Sequence, residues 1–536
     1  MFKKITLIAL LGFIFSSVSM ADEIDEGRQI YEKGALANGE LLTGLSANDY
    51  KLVGQEAACA NCHRPSGMGG VEGKTFMPPI SANFLFDPEK HALAVTDPSH
   101  PMGLTVKDHA YNDSSLATMI STGINYQGRT VNMTMPRYAL DDKSMKSLIA
   151  YLHQLSSTPS SGVMPGELHF ATVFTPEVDE QTKQMVKAEI EAFALQHNSN
   201  MSVAQHHRRI GFDRLRQNNF NWIFHFWDLK GDASHWTSQL EELYTQQPVF
   251  AFVSGVSFQS AEPIQQFCES HKTPCLLRSE LYAPNLTGRY NLYYSKGMGL
   301  DAKLFSSALK QGVIKKPSHV IQLYAPDVLG EKVSSELSVQ LKSLNVPSER
   351  IVLTNENLPV VRKKIQTLHP NAMIVCWCEQ TELDRIGNIK LSKQSKVYLS
   401  GSLLFMKSGI KELTGPWEHA KIIYPYEMPD KRLRQLSNFY AWVLGHQFKP
   451  INEVIQSDTY ISLLVLQEAI AEMVDNLYKD YLVEKVENIF GMSFDYWGMY
   501  SRPSLGPIQR YANTSGYITK FEGKKLVPES ERIVEE

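Results

Sequence analysis

The sequence predicts a multidomain chain in which a small all-α domain precedes a two-lobed α/β domain. Three observations carry this reading. A Cys59-Ala60-Asn61-Cys62-His63 run lies between helical patterns near the start, and a Ser-, Pro- and Gly-rich stretch follows at 156–166. Beyond that stretch, short apolar strands alternate with amphipathic helices to about residue 400. At 536 residues the chain is too long for one core, and a hydrophobic share of 43% with seven tryptophans supplies two or three.

Taken in order, the first element is an export signal over 1–21. Lys3 and Lys4 form a positive start, Ile5 to Val18 is apolar apart from Gly12, Ser16 and Ser17, and Ser19-Met20-Ala21 offers small residues at the cleavage positions. Cleavage after Ala21 leaves Asp22 as the mature start. A retained anchor is the alternative, but the apolar run is short against the ~20 residues of a bilayer span. No later stretch is apolar enough to span. The formal net charge of −4 falls to −6 once Lys3 and Lys4 are removed, which argues against nucleic-acid binding.

The next domain is expected over 22–156. Ile24 to Lys33 reads as a helix with Gly27 and Tyr31 on one face. In the CxxCH run the two thiols are spaced to bond the vinyl groups of one haem, while the adjacent imidazole reaches the iron. A zinc knuckle would need further ligands nearby, and the next cysteine is Cys268; a thioredoxin-type pair would follow a better strand than Leu52 to Glu56. With an export signal, covalent haem c and its iron is the reading, and a second CxxCH is absent from the sequence. Leu116, Met119 and Ile120 mark a helix closing at Gly123. Asp141 or Asp142 caps a last helix whose Met145, Leu148, Ile149 and Leu152 share a face.

These residues resemble a class I c-type cytochrome. Gly27 and Tyr31 match the first-helix side of the family's helix crossing, and Leu148 to Leu152 match the last-helix side. The resemblance implies a methionine as sixth iron ligand, and Met135, followed by Pro136 and placed just ahead of the last helix, matches that position. Met133, Met77 and Met68 remain alternatives, as do His100 and His109; His153 reads as a surface or helix-end residue. Pro78 or Pro79 matches the proline whose carbonyl orients the histidine. A six-coordinate iron moves electrons well and has no open position for substrate. For a c-type cytochrome, export points to the bacterial periplasm.

The stretch 157–166 reads as a linker. The domain from 167 to 536 begins with strands at Leu168 to Phe174, Asn221 to Trp227, Pro248 to Val253 and Pro274 to Leu277, with helices between them. The alternation continues through Val320 to Tyr324, Ala372 to Trp377 and Val397 to Ser400. Its order, and phrases such as Pro248 to Gly255 and Phe267 to Cys275, resemble the type 1 periplasmic binding proteins of the leucine-binding-protein kind. That resemblance implies a small-molecule cleft lined by loops at strand carboxyl ends, where Ser254, Ser257 and Ser260 could offer hydroxyls; ordinary loop serines are the alternative. Export favours a disulfide between Cys268 and Cys275, whereas Cys376 and Cys378 read as small core residues on one strand face. His206-His207-Arg208-Arg209 reads as a solvated cluster. A long helix over Asp458 to Lys479 and a hairpin around Glu522-Gly523 extend the domain. Together these features predict a periplasmic monohaem electron carrier tethered to a solute-binding-like domain that docks a redox partner, a dehydrogenase or oxidase, or senses a small molecule. The alternatives are an oxidoreductase using the cleft as its substrate site, and a transport or sensor protein with a redox module.

Overall fold

The computed structural model describes residues 20–73, 75–87, 110–206, 220–283, 288–387, 396–409, 412–413, 417–491 and 498–536. Most of the export segment, His100, His109 and His207 to Arg209 lie outside them. The chain divides into two compact units. The first runs through Ser160 and also takes in Glu472–Glu484; the second takes in Ser161 and the described residues after it, apart from that segment. No helix among the described residues is long and apolar enough to cross a membrane.

The first unit contains α1 (20–33), β1 (Thr43–Leu45), β2 (Lys51–Val53), α2 (Ala60–His63), β3 (Gly70–Glu72), β4 (Thr75–Met77), α3 (Ala82–Phe86), α4 (Asp113–Thr122), β5 (Arg137–Tyr138) and α5 (Asp142–Leu152). Helices α1, α4 and α5 form on the expected patterns, α1 from residue 20, whereas α2 and α3 were not anticipated. Asn112 and Ser115 cap the start of α4 reciprocally, Gly123 closes it at φ 74°, and the Asp141 carboxylate accepts the Ser144 N–H at 2.6 Å to start α5. The short strands were not anticipated. β1 pairs with β2 and with β5, and β3 pairs with β4, so small antiparallel ladders fasten the loops between helices. The core gathers Ile30, Tyr31, Leu116, Ile120, Leu148 and Leu152, each at most 5% exposed.

The second unit opens with β6 (Val163–Met164), a short edge strand antiparallel to β7 (Glu167–Phe174). The end of the expected linker is therefore structured. Gly162 explains the turn into it: φ is +84°, and a Cβ there would lie 2.0 Å from the Phe250 nitrogen. With β8 (Asn221–Asp228), β9 (Ala251–Val253), β10 (Val256–Ser257), β11 (Cys275–Glu280) and β12 (Asn291–Tyr293), β7 builds a sheet that is parallel apart from β6. Helices α6 (Glu180–His206), α7 (Trp236–Gln246) and α8 (Glu262–Ser270) alternate with these strands, and Val186, Ile190 and Phe193 of α6 are buried as expected. Cys268 and Cys275 are joined in a disulfide, with Cα atoms 6.2 Å apart.

A second sheet runs β14-β13-β15-β16-β17-β18-β19, where β13 is His319–Tyr324, β14 Ser348–Val352, β15 Ala372–Trp377, β16 Val397–Ser400, β17 Lys421–Tyr424, β18 Ser515–Glu522 and β19 Lys525–Pro528. It is parallel through β17, after which the terminal hairpin β18–β19 adds antiparallel. Helices α9 (Met298–Lys310), α10 (Val328–Ser343), α11 (Leu358–Gln366) and α12 (Gln380–Ile386) alternate with it. Cys376 and Cys378 are fully buried. After α13 (Pro429–Gln435) and α14 (Ser437–Gly445), α15 (Glu453–Met473) starts before the helix expected over Asp458 to Lys479 and stops short of its end, and α16 (Lys479–Gly491) begins there. The chain breaks at Val474, whose φ of 54° a β-branched residue rarely adopts.

Candidate functional site

The site of the first unit begins at the crossing of α1 and α5. A Cβ on Gly27 would fall 2.0 Å from the Ser147 carbonyl oxygen, so only glycine permits this approach. One turn along, Tyr31 packs on Tyr151 with ring centres 5.3 Å apart and donates its hydroxyl to the Arg64 carbonyl at 2.7 Å. That bond holds the chain immediately after the histidine.

Helix α2 is a single turn. The His63 N–H donates to the Cys59 carbonyl at 2.9 Å, which stacks Cys59 and His63 on one face with Cys62 beside them. Arg64 leaves at φ 62° and ends the turn. His63 is 8% exposed, and its Nδ1 lies 2.9 Å from the Pro78 carbonyl oxygen. A carbonyl only accepts, so Nδ1 carries the proton and Nε2 keeps its lone pair. Burial lowers the pKa of His63, outweighing the Pro78 bond, and so favours the neutral imidazole a metal needs. Burial pushes the Cys59 thiol up to about 12, which keeps it a thiol rather than a thiolate.

Cys59, Cys62 and His63 line a cavity of about 570 Å³, with Leu52, Ile80, Leu85, Leu116, Ile120, Leu148 and Leu152 among its apolar walls. Met135 lines it too. The Met135 loop is pinned from several sides: its N–H donates to the Asn132 carbonyl at 3.1 Å, and the Arg137 guanidinium donates to the Met135 carbonyl and, at 2.9 Å, to that of Val131. Gly123 leaves room for Arg137, since a Cβ would stand 1.8 Å from its Nε. Tyr138 then donates to the Ala57 carbonyl at 2.9 Å, tying this loop to the one before Cys59.

Of the other methionines, Met77 and Met119 also line the cavity, whereas Met68 and Met133 do not. Met133 is 46% exposed. His153 stacks on Phe86 and pairs with Asp113 at 2.8 Å, away from the cavity lining. The sequence reading missed Met119 as a wall residue and Tyr31, Arg137 and Tyr138 as fasteners. Only the placing of Arg137 directly after Met135-Pro136 offered a signal.

These residues fit a covalently attached haem. Paired thiols, a neutral imidazole with Nε2 unprotonated and a thioether converge on one apolar space of ligand-pocket size. Among the described residues no cluster of three or more His, Cys, Asp or Glu side chains could hold a metal by itself.

The α/β unit differs. At the strand ends between its two sheets, Leu281, Met298, Asp327, Trp377, Glu379 and Lys407 are among residues around only about 20 Å³, room for about one water. Lys407 pairs with Glu379 at 3.1 Å. The three serines expected to face a ligand do not line this space. Ser254 bonds Thr459 at 3.1 Å, Ser257 donates to the Gln259 carbonyl at 3.2 Å, and Ser260 accepts from Lys332 at 3.2 Å. A larger cavity of about 1030 Å³, unforeseen from sequence, lies between α13–α15 and the terminal hairpin, walled by Phe405, Tyr424, Phe439, Tyr440 and Phe521 with Arg432 and Glu453.

Residues 50–156 match the family model for cytochrome c. Among curated proteins none matches the chain. Similar solved structures include a fatty acid ABC transporter substrate-binding protein from Thermomonospora curvata, at 13% identity and TM-score 0.47, covering 71% of this chain and 95% of that one. A possible leucine/isoleucine/valine-binding protein from Rhodopirellula baltica SH 1 shows 11% identity and TM-score 0.49 over 68% and 97%. A branched chain amino acid ABC transporter protein from Thermus thermophilus with bound valine shows 10% identity and TM-score 0.48 over 69% and 97%. The chain thus joins a helical region whose residues 50–156 match the cytochrome c family model to a two-sheet α/β unit.

Proposed function

We propose that this protein is an exported, periplasmic monohaem c-type cytochrome that transfers electrons, with a binding-protein-like portion that docks a redox partner or takes up a small molecule. The observation that carries the reading is the convergence of Cys59, Cys62, His63 and Met135 on one apolar cavity. Bound haem supplies an iron that cycles between two oxidation states. Cys59 and Cys62 would anchor it, His63 would offer Nε2 because Pro78 occupies Nδ1, and the Met135 thioether would be the second protein ligand to the iron. Two protein ligands would leave no open position for substrate, which favours an electron carrier over a catalyst. For a solute, the 1030 Å³ cavity has the room that the 20 Å³ cleft lacks.

Mass spectrometry of the exported protein should find one haem on the peptide around residue 60 and a chain starting at Asp22. Met135→Ala should abolish the iron–methionine charge-transfer band while haem stays attached. If the band persists, Met77 or Met119 takes the role.

A further inference from the structure

The loop after His63 is held by a residue from the far end of the chain. Glu484, on α16, is 4% exposed, and Ser66 is fully buried. The Ser66 N–H donates to Glu484 Oε1 at 2.9 Å and its hydroxyl to Oε2 at 2.5 Å. The direction of the second bond follows from a third: Ser66 Oγ already accepts the Met68 N–H at 3.1 Å, so its own proton points to Glu484. The Ser156 hydroxyl donates to the Ser66 carbonyl at 2.7 Å, so every polar atom of Ser66 is used. The same loop returns to the histidine, because the Gly69 N–H donates to the His63 carbonyl at 3.0 Å.

Glu484 is firmly placed. It belongs to the Glu472–Glu484 segment of the first unit, whose Leu477 carbonyl accepts the Ser160 N–H at 3.2 Å and whose Tyr478 hydroxyl accepts from Asn83 at 2.8 Å. A carboxylate in this position does two things. It fixes the path from His63 to Gly69, and from a buried position its charge acts on Tyr31, which lines the haem cavity.

Resting on the cytochrome reading above, we propose that Glu484 is a positioning residue for the His63 loop and a fixed anion that lowers the reduction potential of the haem. A nearby buried negative charge stabilises the oxidised iron, which carries one more positive charge than the reduced one. Glu484→Gln keeps the size and the hydrogen-bonding reach but removes the charge. Ser66→Ala keeps the charge but removes the hydroxyl bridge.

The test uses the full-length holoprotein and both variants, with haem attachment checked by mass, midpoint potential by optical redox titration, and amide exchange over 64–69. E484Q should keep its haem and show a higher potential. S66A should shift the potential less and lose about tenfold or more of the exchange protection at Met68. An E484Q potential at or below wild type overturns the proposal, as does an S66A shift equal to that of E484Q. If E484Q does not accumulate, unchanged protection over 66–69 in S66A overturns it alone. A wild-type protein without haem refutes the cytochrome reading instead, so the two failures are distinguishable.

Discussion

Gly27→Ala should destabilise the first unit, against what helix propensity alone predicts. In an exposed helix the substitution gains about 0.5–1 kcal/mol, because alanine loses less backbone freedom on folding. At Gly27 the new methyl would meet backbone: the Ser147 oxygen at 2.0 Å, its carbonyl carbon at 2.6 Å and the Tyr151 Cβ at 2.8 Å. No rotamer change relieves a clash with backbone atoms, so α1 and α5 must separate by roughly 1 Å to restore ordinary contact. Overpacking of this kind costs about 1–3 kcal/mol, and the upper half applies where backbone must move. The expected net loss is about 1–2.5 kcal/mol. It reaches the site as well, since Tyr31 packs across the same crossing and holds the Arg64 carbonyl. Thermal unfolding followed by haem-region absorbance should show a lower midpoint for G27A. Gly70→Ala is the control, because a Cβ there meets nothing within 4 Å and its φ is unremarkable. If G27A is as stable as G70A, the crossing does not require glycine and the reasoning fails.

Two further predictions concern the α/β unit. Burial pushes Asp458 up to about 8 from its usual 3.8, against bonds from Tyr500 and Ser279 that pull it down, so the folded protein holds a proton that the unfolded chain releases near pH 4. The folded state binds more protons over that interval, so this group makes stability fall as pH rises from about 4 to 8, by at most about 1.4 kcal/mol per pH unit. Urea midpoints between pH 5 and 8 should decline less steeply in Asp458→Asn than in wild type, and parallel slopes would remove Asp458 as the cause. Replacing Cys268 and Cys275 together by alanine opens a loop of sequence separation 7 and should cost about 2–3 kcal/mol in urea unfolding; a loss below 0.5 kcal/mol, about the scatter of such measurements, would mean the loop is held by its neighbours without the bridge.

What the sequence made legible follows the range of the interactions involved. CxxCH, the Gly27 and Tyr31 pair and the Asp141 cap are local patterns that sit on α2, α1 and the start of α5, whereas the expected linker ends in β6. β15 and β16 were readable because they are short apolar runs with turn residues on both sides. β14 was not, because Ser348-Glu349-Arg350 is polar and half-exposed along the sheet edge. The break between α15 and α16 hides in an apolar pattern that continues across it, through Met473 and Leu477. The serines at 254, 257 and 260 bond Thr459, the Gln259 carbonyl and Lys332, partners that position at a strand end does not reveal. Glu484 was beyond reach, since its bond to Ser66 spans 418 residues and neither residue carries a motif.

The electrostatics of the two candidate sites explain why the functional argument rests on the first. In the α/β cleft the charged groups already satisfy one another: Lys407 pairs with Glu379, and Glu382 accepts the Glu379 N–H at 3.0 Å to cap α12. A polar solute entering about 20 Å³ would have to displace those bonds and open the walls, and each broken charged hydrogen bond costs about 1.5–3 kcal/mol. The cavity of the first unit presents the opposite case. Nδ1 of His63 is bonded to the Pro78 carbonyl and Arg137 holds the Met135 loop, while among the described residues no hydrogen bond engages Nε2 or the Met135 sulfur. A group held there gains its ligands without displacing protein contacts, so preorganisation favours occupation of the apolar cavity over the polar cleft.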